Sequence, residues 1–188
     1  MSSPQHELIL GGAKSGKSRT AELRAARWLA EGAGRSATLV ATALAADDEM
    51  AACIARHRTD RAARVPALHT VEAPHSIGAT LRAQAQTERL LVVDCLTLWL
   101  TQCLMPPDSG PAPRPWAEER DELLAALQDS SSPIVLVSNE ISLGVMPMSR
   151  EARAFITTLG LLHQAVAAHC ARVTLMVGGC EMHVKDLS

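Results

Sequence analysis

The chain has 188 residues, 47% of them hydrophobic and 20% charged, with a formal net charge of −2 when histidines are neutral. That length fits one domain spanning 1–188 around one core, and the charge balance gives no reason to expect a polyanionic partner. With no Tyr, one Phe and three Trp the chain also lacks the material for a base-stacking surface, so nucleic acid is not an expected partner.

Taken in order, "ELIL" (7–10) reads as a short buried strand that runs into a glycine-rich turn and a helix over 18–30. "ATLVAT" (37–42) is a second strand, followed by helices over 47–61 and 76–87. "RLLVVD" (89–94) is a third strand, leading into a helix over 95–104. The stretch "MPPDSGPAPRP" (105–115) carries five prolines, which excludes helix and central strand and predicts a surface loop. A helix over 116–128, a strand "PIVLVSN" (133–139), a long helix over 149–170 and a strand "RVTLMVGG" (172–179) complete the series. In the long helix Phe155, Leu159, Leu162, Val166 and Cys170 recur at three- and four-residue steps, with Ser149 placed to cap it. Continuous apolar strands separated by helices indicate a mostly parallel sheet covered on both faces, a three-layer α/β fold.

The five cysteines (53, 95, 103, 170 and 180) form no CxxC pair and no Cys/His cluster at zinc spacing, which argues against a disulfide framework. The opening "MSSPQHE" has neither a basic nor an apolar targeting region, and no apolar run reaches the roughly 18 residues of a membrane span. A cytoplasmic protein without a membrane span is the expectation.

The clearest motif is "LILGGAKSGKS" (8–18), which contains G-x-x-x-x-G-K-S as Gly11, Gly16, Lys17 and Ser18 between a strand and a helix. Backbone amides of Gly11, Gly12, Ala13, Lys14, Ser15 and Gly16 can converge on phosphate oxygens at the helix N-terminus. Lys17 then neutralises the β/γ-phosphates, and Ser18 supplies a hydroxyl to Mg²⁺. Such a loop needs an acidic partner for the metal at the end of a neighbouring strand, and Asp94 stands at that place; an ordinary helix cap there is compatible with this role.

Two further segments carry polar residues where ligands bind. In "DDEMAACIARHRTDR" (47–61), Met50, Cys53, Ile54 and His57 share one helix face, with Arg56, Arg58 and Arg61 around the histidine. Cationic neighbours would keep the imidazole neutral and nucleophilic and would attract a triphosphate, although on the residues alone a solvated surface histidine fits equally. In "VSNEISLGVMP" (137–147), Ser138, Asn139 and Glu140 close a buried strand at the carboxyl end, where α/β proteins bind ligands. The remaining histidines, His163 and His169 on the long helix included, read as surface or packing residues, and Trp99 and Trp116 as anchors of core or loop.

With "ATALAADDEMAACIARHRTDR", "HTVEAP", "VVDCLTLWL" and the "SNExxLGxxP" block in the same order, nearly the whole chain resembles the bifunctional adenosylcobinamide kinase / adenosylcobinamide-phosphate guanylyltransferase family of cobalamin biosynthesis. The resemblance implies a RecA-like P-loop fold, a homo-oligomer that is typically a homotrimer, and two reactions on one corrinoid, with ATP and GTP as substrates and Mg²⁺ as cofactor. A nucleoside triphosphate first phosphorylates the hydroxyl of adenosylcobinamide. GTP then gives GMP to that phosphate through a GMP-histidine intermediate, yielding adenosyl-GDP-cobinamide. Carried over by position, the nucleophile is His57, and the nucleotide contacts are Gly11–Ser18, Ala41, Thr42, Ala43, Arg61, Glu72 and Asp94. Lys14 stands where the family often has Arg, and "RAARVPALHTVE" departs from the family pattern after the histidine helix. Two rivals stay open on sequence alone: a P-loop kinase for another small hydroxylated metabolite with His57 idle, and a non-catalytic nucleotide switch.

Overall fold

A computed structural model describes residues 5–45, 47–106 and 114–187. Its seven strands are β1 (Glu7–Gly11), β2 (Ser36–Ala41), β3 (Leu68–Glu72), β4 (Arg89–Asp94), β5 (Ile134–Asn139), β6 (Arg172–Val177) and β7 (Cys180–Asp186). Six helices run between them: α1 (Lys17–Ala30), α2 (Asp48–Arg64), α3 (Ile77–Gln84), α4 (Leu96–Leu104), α5 (Trp116–Asp129) and α6 (Arg150–His169). All strands lie in one sheet of order β3-β2-β4-β5-β1-β6-β7, parallel except for β7, which pairs antiparallel with β6.

The central strands are apolar on both faces because both are covered. On one face Leu8, Val40, Leu91, Val93, Ile134 and Leu136 pack against α3, α4, α5 and α6, with Trp99 fully enclosed and its ring 5.2 Å from that of Trp116. On the other, Ile9, Leu39, Val92, Val135 and Val137 meet Ala21 and Ala25, whose small side chains let α1 lie close to the sheet. Glu7, buried in β1, accepts two hydrogen bonds from Arg24 of α1 and one from Thr174 of β6, tying helix to sheet at the amino edge.

The expected α/β architecture is present, with differences in two edge strands, one strand end and two helix ends, α2 running on to Arg64 rather than stopping at 61. β3 and β7 are strands that the periodicity passed over: "LHTVE" buries Leu68, half-buries Val71 and exposes the other three residues, and "CEMHVKD" is largely exposed. The run 172–179 is not one strand, since Gly178 and Gly179 adopt positive φ and turn the chain back into β7. The predicted α3 ends at Gln84 rather than 87. Most of the proline-rich 105–115 segment, residues 107–113, lies outside the described residues.

Candidate functional site

At the carboxyl end of β1 the chain folds over the strand tip before α1 begins. Gly11 must be glycine, because a Cβ there would come within 2.6 Å of both the Met176 carbonyl and Ser15 Oγ. Gly16 caps α1 at φ 103° and makes no side-chain cap, so the amides and positive pole of the first turn remain available to an anion. The buried hydroxyl of Ser15 has no hydrogen-bond partner among the described residues, an orphan that a phosphate oxygen would satisfy. Lys17 Nζ donates to the Gly12 carbonyl at 2.5 Å. Burial pushes its pKa below the usual lysine value, while Cys95 and Asp94 pull the other way.

Asp94 ends β4 beside this loop. Burial raises its pKa; the Ser18 hydroxyl, which donates to the carboxylate, and the charges of His57, Lys17 and Arg61 act against burial. The strand tip is held by Thr42, whose amide donates to the Asp94 carbonyl and whose buried hydroxyl accepts from the Cys95 amide and donates to the Cys95 carbonyl. The Ser18–Asp94 pair is a set of hard oxygen donors and suits Mg²⁺, which takes one or two protein oxygens and completes its shell with substrate phosphates and water. Among the described residues no cluster of three metal-ligating side chains exists, so a cation here would depend on the nucleotide.

Opposite the loop runs α2. Asp47 caps it, accepting from Met50 N at 2.7 Å, and Asp48 and Glu49 fill an acidic first turn. A cavity of about 240 Å³ lies between α2 and the strand tips, lined by Ala41, Ala43, Met50, Ile54, His57, Arg61, Glu72 and Asp94 among others. A groove of about 330 Å³ follows the phosphate loop, lined by Lys14, Ser15, Gly16, Lys17, Ser18, Asp94 and Asn139, with His57, Asp60 and Arg64 on the α2 side. The two share Ser18, His57 and Asp94. His57 therefore stands where a nucleoside-sized space opens onto a phosphate-binding groove. The arginines around it are not equivalent. Arg58 pairs with Glu72 and Arg64 with the buried Glu22 of α1, while Arg61 faces Asp94, its pKa lowered chiefly by burial.

Most residues singled out in the sequence converge on these two spaces. Three placements differ from a simple nucleotide contact. The Thr42 side chain is fully buried and serves β4. Glu140 turns toward α6, its carboxylate bonded to Ser142 and 3.8 Å from His163 Nδ1. His163, read as a surface or packing residue, is buried with Nε2 2.8 Å from Ser138 Oγ. The signal for His163 was present in the sequence: it lies on the apolar stripe between Leu159 and Val166, where a polar side chain needs a partner.

Residues 7–184 match the model of the CobU family, described as cobinamide kinase / cobinamide phosphate guanyltransferase. The chain belongs to this family. It is 45% identical over 179 residues to the bifunctional adenosylcobalamin biosynthesis protein CobP of Pseudomonas aeruginosa, covering 95% of this chain and 96% of that protein. The CobU proteins of Escherichia coli and Salmonella typhimurium are 32% and 33% identical over 187 residues, covering 95% of this chain and 98% of theirs. Among solved structures, the flagellar accessory protein FlaH of Methanocaldococcus jannaschii superposes with a TM-score of 0.53 at 13% identity, over 97% of this chain and 78% of that one. At that identity it speaks for the P-loop NTPase-like, RecA-like fold alone. No helix of the described residues is long and apolar enough to cross a membrane.

Proposed function

We propose that this CobU-family chain is a bifunctional transferase. It phosphorylates the hydroxyl of adenosylcobinamide from ATP or GTP, then moves GMP from GTP onto that phosphate through a GMP-His57 intermediate. The observation that carries this reading is the position of His57, shared by the nucleoside-sized cavity and the phosphate groove, on a helix that a plain kinase would not need.

In the guanylyl half, His57 Nε2 or Nδ1 attacks the α-phosphorus of GTP, a P–N bond forms and pyrophosphate leaves. The substrate phosphate then breaks that bond in a second displacement and regenerates the imidazole. Arg61 and Lys17 supply positive charge on either side of the transferred group, and the open amides of the α1 N-terminus hold the leaving phosphates. Ser18 and Asp94 would hold Mg²⁺, which when bound makes phosphorus more electrophilic. In the kinase half the phosphate loop and Lys17 position the γ-phosphate and neutralise its charge. One nucleotide must present its γ-phosphorus in one step and its α-phosphorus to His57 in the other, so α2 changes position between them. Nucleotide-bound and free structures with His57 unmoved and remote from the α-phosphorus would contradict this. The family reading also includes a cytoplasmic homotrimer, which light scattering tests.

The test of the reaction is product analysis. With adenosylcobinamide, ATP, GTP and Mg²⁺, the chain is expected to yield adenosyl-GDP-cobinamide with one pyrophosphate released per product. ATP turnover that ignores cobinamide would overturn the assignment.

A further inference from the structure

β5 ends in a buried polar system that neither cavity uses. Ser138, fully enclosed, lies 3.0 Å from Thr97 Oγ1 of α4 and 2.8 Å from His163 Nε2 of α6. The Asn139 amide donates to Thr97 Oγ1 at 2.8 Å, and the threonine, serine and imidazole protons can run in either direction along this chain. The other ring nitrogen, Nδ1, faces Glu140 Oε2 at 3.8 Å, an electrostatic contact longer than a hydrogen bond. Burial lowers the pKa of His163 against the pull of Glu140.

This buried chain faces one carboxylate, and the place of that carboxylate is informative. The Glu140 amide donates to the Gly11 carbonyl at 2.9 Å, so Glu140 adjoins the first residue of the phosphate loop. Around the loop Glu72 pairs with Arg58, Glu22 with Arg64, and Asp94 faces Ser18 with the charges of Lys17 and Arg61, whereas Glu140 Oε1 accepts from the Ser142 amide and hydroxyl and no lysine or arginine pairs with its carboxylate among the described residues. Asp60 sits on α2, on the nucleotide side. Glu140 lies on the α6 side of the sheet, across β5 from the His57 cavities, and in-line transfer requires the acceptor hydroxyl opposite the leaving diphosphate. The chain that follows exposes Leu143, Val145, Met146 and Met148, an apolar surface beside the carboxylate that suits a large acceptor with an apolar face.

We propose that Glu140 is the catalytic residue that takes the proton of the acceptor hydroxyl in the kinase step, and that His163, oriented by Ser138 and Thr97, is its positioning residue. The inference rests on the kinase half of the function proposed above. In the step, the hydroxyl oxygen bonds to the γ-phosphorus and the bond from that phosphorus to the β,γ-bridging oxygen breaks. The nucleoside diphosphate leaves with the electron pair, and the hydroxyl proton passes to the Glu140 carboxylate and from there to water.

The experiment is steady-state phosphorylation of adenosylcobinamide by ATP, comparing wild type with Glu140→Gln, Glu140→Asp and His163→Asn, alongside ATP binding and thermal melting. Loss of a general base lowers kcat by about 10²–10⁴-fold, and Glu140→Gln is expected in that range with KM for both substrates and ATP affinity within about threefold of wild type. Glu140→Asp keeps the charge and retains a rate above that of Glu140→Gln. His163→Asn lowers kcat by roughly tenfold at unmoved KM, a split that a merely structural role would not produce. Should Glu140→Gln fail to fold, the kcat and KM of Glu140→Asp and His163→Asn decide in the same way. A Glu140→Gln enzyme that keeps more than about a third of kcat, or that loses ATP affinity in proportion to kcat, overturns the assignment while wild-type activity leaves the kinase reading standing. A wild type that does not phosphorylate cobinamide overturns both.

Discussion

α1 and α2 meet across the same groove yet are held in contrasting ways. α1 buries Lys17, Thr20, Ala21, Glu22 and Ala25 and is tied to β1 by Arg24–Glu7. α2 buries no side chain among the described residues; its ties are Arg58–Glu72, Arg64–Glu22 and the buried Val65 at its C-cap. The difference fits the division of labour proposed above. Phosphate and metal binding need preorganised groups on a rigid element, whereas a nucleophile that must reach two positions along one nucleotide belongs on an element attached through breakable contacts.

The largest effect that breaks this comparison is at the nucleophile. His57→Ala is expected to lower covalent guanylylation to background while kinase turnover falls far less, checked by parallel assays. Lys17→Ala, on the rigid side, is expected to lower both activities by about 10²–10³-fold, because one ammonium serves both transfers. A variant that lost only one activity would show that the two transfers do not share the loop.

Stability separates the helices next. Leu136→Ala, in the core between the sheet and α3–α6, is expected to cost about 2–5 kcal/mol in chemical denaturation, as a fully buried leucine does. Arg64→Ala leaves the Glu22 carboxylate buried beside α1 without its partner and is expected to cost about 1–3 kcal/mol. Arg58→Ala removes an exposed pair and is expected to cost at most about 1 kcal/mol.

The smallest effect is with pH. Burial lowers the pKa of His6, which bridges Leu127 O and Ile134 N, and of His163. A histidine whose folded pKa lies below the unfolded value of 6.5 binds fewer protons when folded. Stability is therefore full above about pH 6.5 and declines as pH falls below it. His6→Gln should flatten that decline in thermal melts between pH 7 and the acid range.

What the sequence disclosed follows from how local each signal is. The Gly11–Ser18 turn and the strand-end place of Asp94 were legible because both are set by neighbours in the chain. The face of α2 was legible from its periodicity, but the role proposed for His57 rests on resemblance, since nothing within α2 says which cavity it borders. β3 and β7 escaped because edge strands lack the continuous apolar run of buried ones. Thr42 meets Cys95, 53 residues away, and His163, whose burial its apolar stripe signals, meets Ser138, 25 residues away. No local pattern names either partner.

The most direct test of the nucleophile proposed on α2 is labelling with α-labelled GTP and Mg²⁺. The account predicts a covalent label on wild type that is acid-labile and alkali-stable, as a phosphoramidate is, maps to His57 and is absent from His57→Ala. An unlabelled wild type, or full labelling of His57→Ala, would contradict it.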